Sequence, residues 1–347
     1  MTSAKTSPSP SLPARLLALI GRCLFWVLFL AMIAWAVMAI YYSDLPPNLR
    51  LAAAPLFGAA SLAVLLFVRP RRRGILVFLA AFAFLVAWWL KIPPSNERDW
   101  QPDVAVLPWA TINGNQVTIH NIRNCDYRSE TDYTVRHYDK TFDLAKLRSA
   151  DLFIVYWGSP YIAHTMFSFD FTGGDYVCFS IETRKEKGEE YSAIKGFFKQ
   201  YELTYIVADE RDVVRLRTNY RGEDVYLYRL EAAPELARKV FLSYLREVNL
   251  IHDNPEWYNA MTSNCTTNIR GHTAPFVKHH RFNWRILVNG YLDTLLYERG
   301  YVDQGFPFDE LKRRSYINPR AKAAGNTPDF SQRIREGLPG TGPRGEK

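Results

Sequence analysis

Three long apolar segments occupy the first ninety residues, and shorter runs in which apolar and polar positions alternate follow them. The apolar segments are residues 23–42, 51–68 and 74–91. Each has about the length that an α-helix needs to cross a bilayer. Trp88 and Trp89 near the end of the third segment suit the headgroup layer. The pattern predicts three transmembrane helices within residues 23–92, and we expect an uncleaved anchor rather than a signal peptide.

Basic residues around these segments indicate their direction across the membrane. Residues 1–22 carry three basic side chains and the loop 69–73 carries four arginines, whereas the turn 43–50 has one arginine. The positive-inside rule places the N-terminus and the arginine loop in the cytoplasm. Everything after about residue 92 then lies beyond the membrane. For a bacterial protein this predicts an inner-membrane anchor and a periplasmic domain.

The rest of the chain predicts an α+β domain over residues 100–320. Turn signals at Asn113-Gly114 and at 172–175 predict two β-hairpins. The irregular order of strands and helices favours α+β over a parallel sheet. Residues 321–347 are rich in Gly, Pro and charge, and they predict a disordered tail. Strands are predicted over 104–110, 116–122, 152–157, 162–171, 176–184, 204–208 and 224–230, and helices over 141–149, 191–200, 234–251 and 284–298.

Composition excludes several functions. The net charge of +8 reflects in part the arginine loop beside the apolar segments, so we expect no nucleic-acid partner. The sequence has no glycine-rich phosphate loop, so no nucleotide or other cofactor is expected. His272, His279 and His280 lie beside Lys278 and Arg281 without a carboxylate cluster, and we interpret them as a solvated basic patch rather than a metal site.

Cys265 is the leading candidate for chemistry. It follows Ser263 and Asn264, which are good helix N-cap residues, and it opens a predicted short helix. The positive end of the helix dipole favours a thiolate at this position. His164 lies about a hundred residues earlier, and a thiolate with a histidine available elsewhere in the fold is a common arrangement for nucleophilic acyl chemistry.

The strand pattern supplies partners for this pair. Alternation places His164 on one face of its strand, and Ser180 and Glu182 share a face of the next strand. If the two faces coincide, Ser180 or Glu182 would bind the imidazole and fix its tautomer. The backbone N–H of Cys265 and the side chain of Asn264 are the candidate oxyanion donors.

Two further cysteines leave alternatives open. In an oxidising compartment Cys125 and Cys178 would form a disulfide and leave Cys265 as the free thiol. The alternative is that both are small buried apolar residues.

Four stretches carry a family resemblance: RNCDYRSETDY (123–133), AHTMFSF (163–169), FSIETRKE (179–186) and AMTSNCTTN (260–268). They resemble the bacterial family called the Lnb N-terminal periplasmic domain. The resemblance implies a permuted papain-like (NlpC/LRAT-like) domain in which His164 precedes Cys265 as the catalytic pair. The founding member is a lipoprotein N-acyltransferase, so the resemblance also implies acyl transfer through a thiol.

The leading hypothesis is therefore a membrane-anchored cysteine acyltransferase. It would move an acyl chain from a membrane phospholipid to Cys265 and then to an amine, such as a lipoprotein N-terminus. The alternatives are a cysteine amidase or peptidase on cell-wall peptides and a non-catalytic envelope binding module. An apolar groove running from Cys265 toward the membrane would favour the acyltransferase, whereas a Cys265 buried away from His164 would argue against both enzymes.

Overall fold

The computed structural model describes residues 11–276, 283, 285 and 289–341. The chain forms two compact units, Met1–Pro93 and Pro94–Lys347. The described part of the first unit contains three helices, α1 (Leu12–Tyr41), α2 (Pro47–Phe67) and α3 (Arg71–Leu90). All three are long and apolar enough to cross a membrane, as predicted. Within the unit they pack around a small core of Phe29, Ile33, Leu65 and Phe78.

The second unit is a mixed α/β domain. Within its described residues, eight strands form one sheet in the order β1-β2-β9-β8-β7-β6-β10, with β5 paired to β2. Only β2 and β9 run parallel among these pairs. The strands are β1 (Trp109–Asn113), β2 (Gln116–Arg123), β3 (Asp126–Tyr127), β4 (Tyr133–Thr134), β5 (His137–Asp143), β6 (Leu147–Tyr156), β7 (Ala163–Phe171), β8 (Asp175–Arg184), β9 (Glu202–Ala208) and β10 (Asp224–Arg229), of which β3 and β4 form a separate ribbon. The helices are α4 (Glu210–Arg215), α5 (Pro234–Asp253), α6 (Cys265–Thr273), α7 (Leu292–Glu298), α8 (Phe308–Ser315), α9 (Asn318–Ala324) and α10 (Phe330–Arg333).

Helices cover both faces of this sheet. On the α5 face, helices α5, α6 and α7 bury a core that includes Phe167 and Phe179. On the α4 face, helices α4, α9 and α10 bury a core that includes Met166 and Cys178. Neighbouring residues of one strand therefore belong to different cores, as the two-residue period of a strand requires.

One end of the sheet is also where the domain begins. Because β6, β7, β8 and β9 are antiparallel neighbours, the end of β6, the start of β7, the end of β8 and the start of β9 lie together. The N–H of Gln101 donates to the carbonyl of Lys185 (2.9 Å) just after β8. The N–H of Ser95 donates to Glu202 Oε1 (3.1 Å) at the start of β9. We call this end of the sheet the tether end.

Two predicted helices are not formed. Residues 141–149 belong to β5, a single 3-10 turn (Leu144–Lys146) and β6, because pairing with β7 overrides the local preference of a Leu- and Lys-containing segment. Residues 191–200 contain only the 3-10 turn Lys195–Phe197. The reason is Gly196, whose carbonyl accepts from the N–H of Ala260 (3.2 Å) and whose backbone lies against the Tyr258 ring.

The predicted strands are largely confirmed, although β1 begins at Trp109 rather than residue 104. The hairpin of β7 and β8 has the predicted turn, and helix 234–251 is α5. The predicted helix 284–298 is α7 preceded by the 3-10 turn Asn289–Tyr291; residues 284 and 286–288 lie outside the described residues.

The prediction of a disordered tail over 321–347 is wrong for the described residues up to 341. This segment continues α9, forms α10 and covers the α4 face. Phe330, Ile334 and Leu338 recur every four residues within a polar, glycine-rich segment, and all three are buried in the core of the α4 face, although α10 itself ends at Arg333. Residues 342–347 lie outside the described residues.

Candidate functional site

Cys265 is the first residue of α6, as predicted. The Asn264 side chain accepts from the N–H of Thr267 (3.0 Å), and Thr267 Oγ1 accepts from the N–H of Asn264 (2.9 Å), which completes a capping box. The thiol belongs to the core of the α5 face and remains 9% exposed. As the first helical residue, Cys265 has a backbone N–H with no acceptor inside the helix.

Asn289 is the polar neighbour of the thiol that sequence reasoning missed. Its Nδ2 lies 3.8 Å from Cys265 Sγ and donates to Thr266 Oγ1 (2.9 Å). Its Oδ1 accepts from the N–H of Ala163 (2.8 Å) at the start of β7. Asn289 therefore ties the start of α6 to the tether end of the sheet.

The backbone after Asn289 fixes this side chain in place. The N–H of Gly290 donates to the carbonyl of Tyr161 (3.1 Å), and the Gly290 carbonyl accepts from Tyr156 Oη (2.7 Å). A Cβ at position 290 would overlap the carbonyl oxygen of Pro160, so this close approach requires glycine. The Asn-Gly dipeptide was the available sequence signal, but inside a predicted helix it indicated no role.

His164, Ser180 and Glu182 are brought together as predicted. His164 Nε2 lies 2.7 Å from Ser180 Oγ, and Ser180 Oγ donates to Glu182 Oε1 (2.7 Å). Arg217 donates to the same carboxylate oxygen (2.8 Å). Because the single hydroxyl hydrogen of Ser180 goes to Glu182, Ser180 Oγ accepts from Nε2–H of His164. The imidazole is therefore the Nε2–H tautomer.

Burial and the neighbouring charges keep the His164 imidazole neutral. Burial, together with the neighbouring Arg217, lowers the pKa of His164 to about 3 against the opposing effect of Glu182. Burial acts to raise the pKa of Glu182, but Arg217 and His164 hold it well below its usual value. The cluster is thus a neutral histidine that donates, through a serine, to an ionised carboxylate.

The predicted pair of Cys265 and His164 lies on opposite faces of the sheet. The His164 ring reaches Ser180, which is paired with Met166 on the α4 face. Cys265 packs in the core of the α5 face. The physical reason is strand alternation: Ala163, not His164, presents its side chain to the α5 face. The expectation that a helix opening at Cys265 completes a triad with His164 is therefore not met in this structure.

Asn264 does not have its predicted position as an oxyanion donor. Its Nδ2 donates to the carbonyl of Ala260 (2.7 Å), and its Oδ1 caps α6, so its side chain closes the loop before the helix. Asn289 Nδ2 and the Cys265 N–H are instead the donors beside the thiol.

The prediction of a solvated basic patch is wrong for His272, which is buried. Its Nε2 lies 2.8 Å from Tyr205 Oη, and its Nδ1 lies 3.0 Å from Ser243 Oγ. Burial lowers the pKa of His272 to about 4. His279 and His280, with Lys278 and Arg281, lie outside the described residues.

No disulfide joins Cys125 and Cys178. Both thiols are free and buried, and they belong to separate apolar clusters. Burial raises the pKa of Cys125 to about 12 and that of Cys178 well above its usual value. The two residues are small apolar core residues, the second of the alternatives left open by the sequence.

Protonation of His164 gives the domain a measurable pH dependence. The unfolded chain binds a proton at His164 below about pH 6.5, whereas the folded chain does so only near pH 3, so this residue makes stability fall as the pH falls. We expect the wild type to lose about 2 kcal/mol of stability relative to His164→Gln from pH 8 to pH 5. Thermal unfolding of the full-length protein in detergent micelles at both pH values measures this. A difference that is the same at both values would show that His164 is not held neutral.

An apolar cavity of about 220 Å³ lies along α6; its wall includes Thr266, the residue after Cys265, whereas Cys265 does not line it. Thr266 and Ile269 of α6 form part of its wall, and the cavity runs along α6 to Thr273 and Ala274. It lies between the sheet and the helices of the α5 face. The remaining lining is almost entirely apolar and includes Ala150, Leu152, Phe167, Leu236, Val240, Leu292, Leu295 and Leu296, with Glu231, Arg270, Arg299 and Tyr301 also contributing.

Comparison with known proteins identifies the central part of the domain. No curated protein and no solved structure matches the chain. Residues 133–290 match the family model described as the Lnb N-terminal periplasmic domain, and this range contains His164, Cys265 and Asn289. With the three candidate spans, the match indicates a membrane protein with a periplasmic domain. The match of residues 133–290 to the Lnb N-terminal periplasmic domain family confirms the suspected family, and three of the four sequence stretches lie within it.

Proposed function

We propose that this protein is a bacterial inner-membrane acyltransferase whose periplasmic domain takes an acyl chain from a phospholipid onto Cys265. The acyl group then passes to an amine such as the N-terminus of a lipoprotein. The observation that carries the proposal is the apolar cavity whose wall includes Thr266, the residue next to Cys265 in the chain. The basic flanks of the apolar segments support the assumed orientation.

The cavity suits an acyl chain better than a peptide. Its lining residues are mainly Ala, Val, Leu, Ile and Phe, which give a hydrocarbon chain a favourable environment but leave peptide N–H and C=O groups without partners. Thr266 is the first residue of α6 that lines the cavity, and we place the carboxyl end of a bound chain at this end, next to Cys265. From Thr266 the cavity extends along α6 toward the C-terminal end of that helix.

The reaction has two balanced steps. The Cys265 sulfur attacks the ester carbonyl and the C–O bond breaks, and the proton lost by the thiol ends on the leaving oxygen, which gives a thioester and a lysophospholipid. An amine then attacks the thioester, the C–S bond breaks, and an amide and the free thiol are formed. The Cys265 N–H and Asn289 Nδ2 are positioned to donate to the oxyanion of each step.

The position of His164 changes the assignment of roles. Its imidazole lies on the α4 face, so we assign it a structural role, and the proposed nucleophile is the Cys265 thiol at the start of α6. The order of histidine before cysteine still supports a permuted papain-like ancestry. The separation of the two residues meets the condition that the sequence analysis set against both enzymes. It therefore favours a second candidate function, a non-catalytic domain that binds acyl chains in the same cavity.

Labelling with a phospholipid that carries a radioactive acyl chain tests the proposal. The full-length protein in detergent micelles is expected to acquire radioactivity that hydroxylamine removes, as a thioester requires. Ala274→Phe should reduce the adduct strongly, because the ring would occupy the cavity where α6 ends. Ala145→Phe is the matched control, since Ala145 is exposed and does not line the cavity.

Three results would contradict parts of the proposal. Lipid that copurifies or exchanges without a covalent adduct would leave only the acyl-binding function. An adduct that Ala274→Phe does not reduce would show that the cavity is not the acyl site. Release of amines from cell-wall peptides without lipid labelling would favour the amidase.

A further inference from the structure

We propose that the tether end of the periplasmic domain docks on the lipid bilayer, with three loops inserting apolar side chains into the headgroup layer. The proposal concerns how the domain contacts the membrane. It does not depend on acyl transfer at Cys265.

Large apolar side chains are exposed in these three loops. The first loop joins β6 to β7, the second joins β8 to β9, and the third precedes α6. The side chains are between 38% and 60% exposed, and elsewhere in the described part of the domain the exposed large apolar side chains are Val106, Trp109, Ile112 and Leu250. They are Trp157, Tyr161, Ile162, Tyr191, Ile194, Phe197 and Met261. A concentration of exposed apolar residues marks an interaction surface.

Contacts between the loops show that they form one surface. The N–H of Ala260 in the third loop donates to the carbonyl of Gly196 in the second loop (3.2 Å). Asn264 Nδ2 donates to the carbonyl of Ala260 (2.7 Å), which joins this pair to the start of α6. In the first loop, the carbonyl of Tyr161 accepts from the N–H of Gly290 (3.1 Å). The loops therefore surround the α6 start at the tether end.

The length of the tether selects the bilayer as the partner. Helix α3 ends at Leu90, and Ser95 is already fixed to Glu202 at the tether end. The intervening residues span at most about 18 Å when fully extended. A bilayer crossed by α3 would thus lie within that distance of the tether end.

The chemistry of the surface agrees with this partner. Tryptophan and tyrosine rings have an apolar body and a polar edge, and they are enriched at membrane–water interfaces. Isoleucine, phenylalanine and methionine beside them supply apolar area that can enter the acyl boundary. A bilayer docked here would bring lipid to the start of α6.

Depth-dependent quenching in proteoliposomes tests the proposal. The full-length chain with Cys23→Ala and Cys265→Ser retains only two buried cysteines, so one introduced cysteine can be labelled with an environment-sensitive fluorophore. Ile162→Cys and Ile194→Cys place the label on the proposed surface. Thr172→Cys is the matched control, because Thr172 is exposed in the turn between β7 and β8 at the opposite end of the sheet.

In vesicles of phosphatidylcholine and phosphatidylglycerol, labels at 162 and 194 should be quenched several-fold more by a lipid spin-labelled at acyl carbon 5 than the label at 172. Aqueous iodide should show the reverse order. Iodide quenching at 162 and 194 equal to that at 172 would overturn the proposal. Protection from both quenchers would also overturn it, because it would show that a protein, either a second copy or a partner, covers the surface. Since this background lacks Cys265, neither result depends on the proposed acyl transfer.

Discussion

Replacement of Arg335 by methionine is expected to destabilise the periplasmic domain by about 3–5 kcal/mol, the usual cost of removing one member of a buried ionic group. Arg335 is 6% exposed and lies on the α4 face. Its Nη1 and Nη2 donate to the two oxygens of Glu210 (2.7 Å each), and its Nε donates to Asp151 (2.8 Å). The substitution would leave two buried carboxylates without this partner. Methionine fills a similar volume, so the loss would be electrostatic rather than a cavity.

Thermal unfolding of the full-length protein in detergent micelles measures this effect, which corresponds to a drop of roughly 6–20 °C in the domain transition. Arg333→Met is the matched control. Arg333 lies two residues before Arg335 and pairs with Asp329 (2.9 Å), but both side chains are about half exposed, so about 1 kcal/mol or less is expected. A transition for Arg335→Met as high as that of Arg333→Met would show that residues 330–341 do not pack on the domain.

The C-terminal segment illustrates what composition alone misses. Its glycines, prolines and charges are typical of disorder, and the apolar residues that matter, Phe330, Ile334 and Leu338, are few. They are buried because the α4 face supplies an apolar surface and two buried carboxylates, Asp151 and Glu210, for Arg335. That surface is built from strands more than a hundred residues earlier, so local sequence could not predict it. The hairpin of β7 and β8, by contrast, depends on its own turn and alternation, and it was predicted.

The sequence likewise predicted some features of the candidate site and not others. The partnership of His164 with Ser180 and Glu182 follows from alternation and the register of one hairpin, both of which the sequence contains. Which face of that hairpin receives α6 depends on how distant helices pack, and the sequence does not specify it. Asn289 was missed because its role requires Gly290 to approach the loop at Pro160.

Cys265→Ser is expected to abolish the hydroxylamine-sensitive acyl adduct, whereas His164→Gln should leave its rate of formation nearly unchanged. The thiol is the proposed nucleophile, and a serine hydroxyl at the same position would lack the reactivity of a thiolate. The His164 imidazole donates to Ser180 on the α4 face, and glutamine can donate in its place.

Adduct formation from a radiolabelled phospholipid, measured over time with each full-length variant, separates two mechanisms. In a Cys–His dyad the histidine acts as the general base, and its removal would slow the reaction by about 10²–10⁴-fold. A loss of that size in His164→Gln, with unchanged thermal unfolding at pH 8, would mean that the tether end rearranges on lipid binding to bring the two residues together. Retention of the adduct in Cys265→Ser would instead remove the thiol from the mechanism. Cys125→Ser is the control for a buried thiol outside the cavity, and it should keep the adduct because Cys125 lies in a separate cluster.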